Sequence, residues 1–264
     1  MIDANISSLL GRGATEKPAL IVPDGPTLTY GRLRELTEEV ASALSSHGVA
    51  PGDRVATVFP NGPEAILLFL ATSTIGVSCP LNPAYKEDEF RFYLEDTGAR
   101  FLLVPPGEAE AARRALPEGG KLIEVALDAA GRLQLSSSGE TAFVDSHGPA
   151  DAGATALVLH TSGTTSRPKR VPLRHRNLIS SADNIVRSYE LTPDDVSLCI
   201  MPLFHVHGLV ASTLATFASG GSVVVPRHYG PLGFRPLMEA TRPTWFSASP
   251  TPHQLILSLS LIHI

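Results

Sequence analysis

The sequence predicts an α/β fold of mostly parallel sheets flanked by helices. Short apolar runs alternate along the chain with longer segments of helical periodicity, which is the pattern that parallel βαβ units produce. The clearest unit starts with the apolar run at residues 55–59, continues through a helical segment that ends at Gly76, and returns as a strand at residues 77–81. A crossover of this length requires the two strands to pair in parallel. The hydrophobic content of 43% is enough for a packed core.

The first half of the chain repeats this alternation. Strands are predicted at residues 20–22, 55–59, 77–81, 100–104 and 121–125. Helices are predicted between these strands and end at glycines, namely Gly48, Gly76 and Gly98. A further Pro-flanked helix is predicted at residues 105–120. Asn61 is expected to cap the helix that follows it, because an Asn side chain accepts a hydrogen bond from a free backbone N–H. Residues 128–153 are polar, which predicts a surface connection and the main internal boundary.

The second half continues the same pattern. Strands are predicted at residues 156–159, 196–200, 222–226 and 244–248. Helices are predicted at residues 178–189, 209–217 and 232–241. The predicted organisation is a first α/β subdomain at residues 1–150 and the start of a second at residues 151–257. Near the end of the chain, four leucines alternate as they would in a strand, namely Leu255, Leu257, Leu259 and Leu261.

The composition excludes several classes of protein. A net charge of −5 and a pI near 6.0 argue against a nucleic-acid-binding surface. The apolar stretch at residues 65–81 is interrupted by hydroxyl residues and is too short to span a membrane, and the N-terminus lacks the basic start of a signal peptide. Cys79 and Cys199 lie in separate apolar runs, which predicts reduced core thiols in an intracellular protein. No CxxC motif or histidine cluster indicates a metal site.

Residues 160–170 are the most distinctive stretch of the chain. They combine five hydroxyl side chains, one glycine and three cationic side chains, directly after the buried-strand pattern at residues 156–159. Hydroxyls and backbone N–H groups donate to phosphate oxygens, Gly163 allows close backbone approach, and Lys169 supplies charge. The stretch therefore suits a polyphosphate. A flexible Ser/Thr linker is the alternative on composition alone.

The string TSGTTSRPK, from Thr161 to Lys169, resembles the phosphate-binding loop of the adenylate-forming superfamily, which includes acyl-CoA synthetases, 4-coumarate–CoA ligases, luciferases and peptide-synthetase adenylation domains. Together with residues 159–160 and 171–173, it is most similar to the oxalate–CoA ligase group. The resemblance implies that the ATP-binding residues are Thr161, Ser162, Gly163, Thr164, Thr165 and Lys169. The superfamily usually carries glycine after the lysine, whereas this chain has Arg170. Arginine would be strained there if the position required a positive φ, or it could add a cation near the phosphates.

His205 and His207 follow a predicted strand, and ligands collect beyond the carboxyl ends of parallel strands. The alternative is a pair of histidines in an ordinary surface loop. The string PLFHVHGL, at residues 202–209, resembles the second signature of the superfamily, which implies that His205 is catalytic and contacts the substrate carboxylate. By the same resemblance His207, Ser249 and Thr251 are candidate substrate-binding residues. His207 could instead simply pack, and Thr251 could instead cap a helix.

The resemblance implies an ATP-dependent acid–CoA ligase. In that reaction a carboxylate attacks the α-phosphate of ATP to give an acyl-adenylate and pyrophosphate, and the thiol of CoA then displaces AMP. The expected ligands are ATP, CoA, Mg²⁺ and a small carboxylic acid. Oxalate is the expected acid, and a related ligase for a medium-chain or aromatic acid is the alternative. A P-loop NTPase is disfavoured because the motif GxxxxGK[ST] does not occur.

The resemblance extends from about residue 5 to about residue 257 and covers the first half of such an enzyme. Two later strings of the superfamily, Tyr-Gly-x-Thr-Glu and Thr-Gly-Asp, do not occur in this sequence. We therefore expect a partial large N-terminal domain without the small C-terminal domain, inactive alone, with residues 258–264 as a spurious or truncated tail. A non-catalytic half-domain is a further alternative. The expected compartment is the cytoplasm or the peroxisome.

Overall fold

A computed structural model of the chain describes residues 5–128, 132–137, 150–161 and 168–262. In these residues the strands form two sheets that are flanked by helices, so the α/β prediction is confirmed. The strands are β1 (Pro18–Ile21), β2 (Thr27–Thr29), β3 (Arg54–Thr57), β4 (Val77–Pro80), β5 (Phe101–Val104), β6 (Lys121–Leu127), β7 (Leu133–Ser137), β8 (Thr155–Thr161), β9 (Lys169–Arg174), β10 (Val196–Leu198), β11 (Ser222–Val224) and β12 (Trp245–Phe246). The α-helices are α1 (Tyr30–Ser46), α2 (Pro63–Ile75), α3 (Glu87–Thr97), α4 (Glu110–Ala115), α5 (His175–Tyr189), α6 (Ala215–Ser219), α7 (Phe234–Thr241) and α8 (Pro250–Ile262).

The two sheets are mostly parallel, as predicted. The larger sheet has the strand order β7-β6-β5-β3-β4-β8-β9, and the smaller sheet has the order β12-β10-β11-β1-β2. The antiparallel pairs are β1–β2, β6–β7 and β8–β9. Each of these pairs joins strands that are separated by only a few residues, and a connection that short cannot make the crossover that parallel pairing needs.

Strand pairing crosses the boundary that the sequence placed near residue 150. β1 and β2 come from the start of the chain but belong to the smaller sheet, where Leu20 pairs with Val223. Conversely, β8 follows the boundary but pairs with β4 in the larger sheet, through Ser78 and Leu157. The two sheets therefore interlock along the sequence, because pairing is decided by which exposed strand edge is near and not by order in the chain.

The main hydrophobic core lies between the two sheets. It joins side chains of the smaller sheet, such as Leu20 and Val223, to side chains of the larger sheet, such as Val55 and Leu103. Residues 66–71 of α2 are all buried in this core, as expected of a helix enclosed by both sheets. The helices α3 and α4 cover the outer face of the larger sheet, and α7 and α8 pack against the outer face of the smaller one.

Four predicted segments differ from the structure. The polar connection at residues 128–153 contains the edge strand β7, whose residues alternate between half-buried and exposed positions. The helix predicted at residues 105–120 is limited to α4, and the helix predicted at residues 209–217 is a π-helix (His207–Leu214) that continues into α6. The alternation of the last leucines does not mark a strand, because these residues lie in α8, which runs to Ile262. That helix begins at Pro250, and proline suits the first turn of a helix because its missing N–H is not needed there.

Both cysteines are free and buried, as predicted for core thiols. Burial raises the pKa of Cys79 to about 12 and that of Cys199 to about 11, so both thiols are protonated at neutral pH. Of the helices in the described ranges, none combines the length and the hydropathy that a membrane crossing needs.

Candidate active site

The predicted catalytic and substrate-binding residues lie at the carboxyl edge of the smaller sheet. β10 pairs in parallel with both β11 and β12, so the segments that follow these three strands emerge on the same side. They carry His205 and His207 after β10, Arg227 after β11, and residues 247–251 after β12. This is the edge at which ligands collect in parallel α/β sheets.

His205 lies on a short, well-defined loop. The loop leaves β10 through a hydrogen bond from the N–H of Cys199 to the carbonyl of Val224 (2.9 Å), and a turn follows in which the N–H of His205 donates to the carbonyl of Pro202 (3.2 Å). The imidazole of His205 contacts the ring of Phe204 at a centroid distance of 4.5 Å and is accessible to solvent. Partial burial lowers the pKa of His205, so the ring is neutral at neutral pH and has one donor and one acceptor nitrogen.

His207 is held by a residue that the sequence reasoning missed. Its Nε2 lies 2.8 Å from Oγ of Ser247, which follows β12. Burial lowers the pKa of His207, and the nearby His253 lowers it further, so this ring is also neutral at neutral pH. His207 therefore has a tertiary partner, and its contact with Ser247 joins the segments that follow β10 and β12. The strand-end position that indicated Ser249 also applies to Ser247, but only the fold shows which serine faces His207.

Ser249 and Thr251 lie next to this group without a described hydrogen bond that ties them to it. Ser249 is half-buried and immediately precedes α8. Thr251 is exposed and lies inside the first turn of α8 instead of before it, so the alternative interpretation of Thr251 as the helix cap is wrong. Their predicted role in binding the substrate stays a prediction.

The predicted phosphate-binding loop connects β8 to β9. Ser162, Gly163, Thr164 and Thr165 lie outside the described residues. The two ends of the loop are described, and Thr161 on β8 pairs in register with Lys169 on β9. Lys169 is exposed at the mouth of this hairpin. This exposure is compatible with the predicted contact between Lys169 and a phosphate, which stays a prediction.

The end of β8 and the His205 loop lie on the same side of the described structure. β8 and β3 are both parallel to β4, so the end of β8 lies at the same edge of the larger sheet as the end of β3. Asn61 follows β3, and its side chain bonds to the backbone of Met201 and Leu203 in the His205 loop. Asn61 is thus not the cap of α2, whose N-cap is Gly62 without a side-chain hydrogen bond. The carboxyl edges of the two sheets meet at this contact.

Arg170 occupies the position where the superfamily usually has glycine. It lies in strand β9 opposite His160, where an extended backbone suits any residue. Its guanidinium donates to the backbone carbonyl of Asp96 and lies 4.0 Å from the carboxylate of Asp96. The same carboxylate is 2.9 Å from Nε2 of His160. Asp96 therefore contacts both strands at the base of the phosphate-type loop, and Arg170 is engaged with Asp96.

Replacing Arg170 with glycine, the usual residue of the superfamily, is expected to destabilise the chain. Glycine inside a strand costs about 0.5–1 kcal/mol of backbone entropy, and the contact with Asp96 is lost as well. We expect the Arg170→Gly variant to lose about 1 kcal/mol in urea unfolding. Arg235→Ala on α7, which removes an exposed pair with Glu239, is the matched control and should change stability by less. A more stable Arg170→Gly variant would mean that the position is strained after all.

The described part of this edge contains no cluster of metal-ligating side chains. Within the residues that the structure describes, no group of three or more His, Cys, Asp or Glu side chains is arranged to hold a metal ion. A cavity of about 610 Å³ lies against Arg54, Val77 and Thr155, which begin three strands of the larger sheet or lie at their start. None of the predicted site residues lines this cavity. The expected binding of Mg²⁺ therefore stays a prediction, and none of the described residues is assigned to it.

A family model described as AMP-binding enzyme matches residues 11–263. The chain belongs to this family. Among its relatives, an oxalate–CoA ligase of Arabidopsis thaliana is 41% identical over 98% of this chain, and one of Saccharomyces cerevisiae is 36% identical over 93%. A feruloyl-CoA synthase of an Amycolatopsis species is 33% identical over 88% of this chain. The chain spans 52%, 51% and 45% of the lengths of these three relatives.

Solved structures of this family have the same fold. The ATP-bound crystal structure of MatB from Rhodopseudomonas palustris matches with a TM-score of 0.81 and 29% identity, over 97% of this chain and 51% of that one. The family resemblance inferred from the loop and from the His205 signature is therefore confirmed, and the chain spans about half the length of the relatives that it matches.

Proposed function

We propose that this chain supplies the ATP- and acid-binding edge of an ATP-dependent acid–CoA ligase. The observation that carries the proposal is the meeting of the two carboxyl edges, because Thr161 ends β8 at the same edge of the larger sheet from which Asn61 contacts the His205 loop. The hydroxyls of residues 161–165 and the cation of Lys169 would bind the β- and γ-phosphates and stabilise the charge that develops as pyrophosphate leaves.

His205 would orient the acid for its attack. A carboxylate oxygen forms a bond to the α-phosphorus of ATP, and the bond between that phosphorus and the bridging oxygen breaks to release pyrophosphate. A neutral imidazole can donate one hydrogen bond to the carboxylate without neutralising the oxygen that attacks. In the second step the sulfur of CoA attacks the acyl carbon, and AMP leaves.

Oxalate is the proposed acid. The relatives named as oxalate–CoA ligases support this choice, together with the local resemblance around residues 159–173 and 202–210. The polar side chains that follow β10 and β12, namely His205, His207 and Ser247, suit a small, doubly charged acid better than an alkyl chain. The named feruloyl-CoA synthase supports an aromatic acid as the second candidate.

Pyrophosphate exchange tests both candidates. The assay uses the longest naturally expressed protein that contains these 264 residues. It is incubated with ATP, Mg²⁺ and one acid of a panel. We expect ATP–pyrophosphate exchange with oxalate and little with medium-chain or aromatic acids. Exchange that depends on an aromatic acid and not on oxalate would replace the first candidate with the second. The 264 residues alone are expected to form no acyl-adenylate, and detection of one would contradict the proposed inactivity of the isolated half.

A variant at His205 tests its role in the same assay. Removing one hydrogen bond to the carboxylate should lower the exchange rate with oxalate by about tenfold in His205→Ala. His47→Ala is the control, because it removes a half-buried histidine at the end of α1, far from His205 along the chain. An exchange rate of His205→Ala equal to that of His47→Ala would rule out a contact between His205 and the reacting carboxylate.

A further inference from the structure

The side-chain amide of Asn61 bridges two distant parts of the chain. Its Nδ2 donates to the carbonyl of Met201 (3.0 Å), and its Oδ1 accepts from the N–H of Leu203 (2.9 Å). The two backbone groups belong to residues whose side chains are buried, with 8% and 3% exposure. A single amide thus satisfies one acceptor and one donor that flank Pro202, in the way that a neighbouring strand would.

The backbone that Asn61 holds leads directly to His205. Pro202 lies between the two bonded groups and accepts from the N–H of His205 (3.2 Å), which closes the turn that carries the imidazole. On its other side this backbone packs against Gly208, where a Cβ atom would lie 2.4 Å from the carbonyl oxygen of Pro202. The loop is therefore fixed between Asn61 and Gly208.

A second contact from the start of α2 reaches the next loop of the same edge. Both carboxylate oxygens of Glu64 bind the guanidinium of Arg227, at 2.7 and 2.8 Å. The side chain of Glu64 is only 13% exposed, so this two-bond pair is partly shielded from solvent. Arg227 follows β11, next to the His205 loop. The stretch from Asn61 to Glu64, which spans the end of the β3–α2 connection and the first turn of α2, therefore contacts the loops that follow β10 and β11.

We propose that Asn61 is a positioning residue for His205. Its amide fixes the backbone on both sides of Pro202 and thereby fixes the direction of the imidazole, without contact to the reacting atoms. The inference rests on the proposed function for the role of His205. It also assigns a task to a side chain in the first strand-to-helix connection of the larger sheet, far from His205 along the chain.

Two substitutions separate the two hydrogen bonds. Asn61→Asp keeps the acceptor for the N–H of Leu203 but cannot donate to Met201, and Asn61→Leu keeps the approximate volume but loses both bonds. By NMR, we expect the amide hydrogen of Leu203 to exchange at least about tenfold faster in Asn61→Leu and to stay slow in Asn61→Asp. The carbonyl ¹³C shift of Met201 should change in both variants.

The reactivity of His205 connects these backbone effects to the imidazole. We expect the rate of acylation of His205 by diethyl pyrocarbonate, relative to His47, to change in both variants. Asn82→Asp is the matched control, because Oδ1 of Asn82 accepts only from the N–H of Ala84 in its own turn (2.9 Å) among the contacts described. In this control the amide exchange of Leu203, the carbonyl shift of Met201 and the acylation rate of His205 should equal those of the unsubstituted chain.

Two results would overturn the proposal. One is an Asn61→Leu variant that folds and still protects the amide of Leu203. The other is an Asn61→Asp variant whose Met201 carbonyl shift and His205 acylation rate equal those of the unsubstituted chain. This second result decides the test if Asn61→Leu does not fold. Neither measurement uses ATP, CoA or an acid, so an absence of pyrophosphate exchange would count against the proposed function and leave this test unaffected.

Discussion

Acidification from about pH 6.5 to about pH 4 is expected to destabilise the fold by about 2–3 kcal/mol through His175 alone. His175 is the first residue of α5 and is 0% exposed. Its Nδ1 accepts from the backbone N–H of Ile6 (3.2 Å). Burial lowers the pKa of His175 from 6.5 to about 4, although the backbone of Ser73 and the carboxylate of Asp151 act in the opposite direction.

The sign follows from comparing the two states of the chain. Above pH 6.5 the imidazole is neutral whether the chain is folded or unfolded, so its contribution to stability is complete. Between pH 6.5 and pH 4 the unfolded chain binds a proton that the folded chain does not, and stability falls with the pH. Below about pH 4 the folded state is protonated as well, and His175 causes no further loss.

Urea unfolding at a series of pH values measures this effect. His175→Asn keeps an acceptor near the position of Nδ1 but cannot titrate, so its stability should be flatter between pH 6.5 and pH 5. Carboxylates with lowered pKa values, such as Glu124, lose their contribution at lower pH and so affect this window little. The prediction fails if the unsubstituted chain and His175→Asn have parallel stability curves in that window.

Gly208→Ala is expected to destabilise the chain by about 2–3 kcal/mol and to displace the His205 loop. A Cβ at this position would lie 2.4 Å from the carbonyl oxygen of Pro202 and 2.9 Å from that of Met201. Both atoms belong to the backbone, so no side-chain rotation can relieve the overlap. Either the loop or the start of the π-helix must move.

The matched control is Gly230→Ala. A Cβ at Gly230 would meet no atom within 4 Å, and its φ of −136° is open to any residue. Thermal unfolding should separate the two alanine variants by several degrees, and the NMR signals of residues 201–207 should shift only in Gly208→Ala. Equal melting temperatures and an unshifted loop would contradict this prediction, because they would show that the start of the π-helix moves away from the loop at little cost in stability.

Local patterns in the sequence were sufficient for most of the fold. The apolar runs gave the strands, and the Gly and Pro positions gave most helix ends, because these signals act within a few residues. β2, β7 and β9 were missed because their residues are mostly polar or only half-buried, so the hydrophobic pattern that marks a buried strand is weak in them. The alternating leucines near the end of the chain suggested a strand for a related reason. A period-two pattern over only a few residues does not exclude an exposed helix such as α8.

The candidate site residues named from the sequence come from local signatures, and their roles stay predictions. His205 and the loop between Thr161 and Lys169 were identified from local strings. Ser247 and Asn61 were not, because their partners lie 40 and 140 residues away along the chain. Asn61 was given the local role of a helix cap, which its side chain does not fill since it bonds to the other sheet.

The sequence by itself determined the family and the α/β class, and it named the phosphate-type loop and His205 as candidates. Each of these depends on residue types at fixed short spacing. Only the tertiary structure decided which strands share a sheet, that Arg170 contacts Asp96, and that Asn61 holds the His205 loop. Those outcomes depend on which edges and side chains meet across the core, and hydrogen bonding between such distant residues leaves no periodic or local mark in the chain.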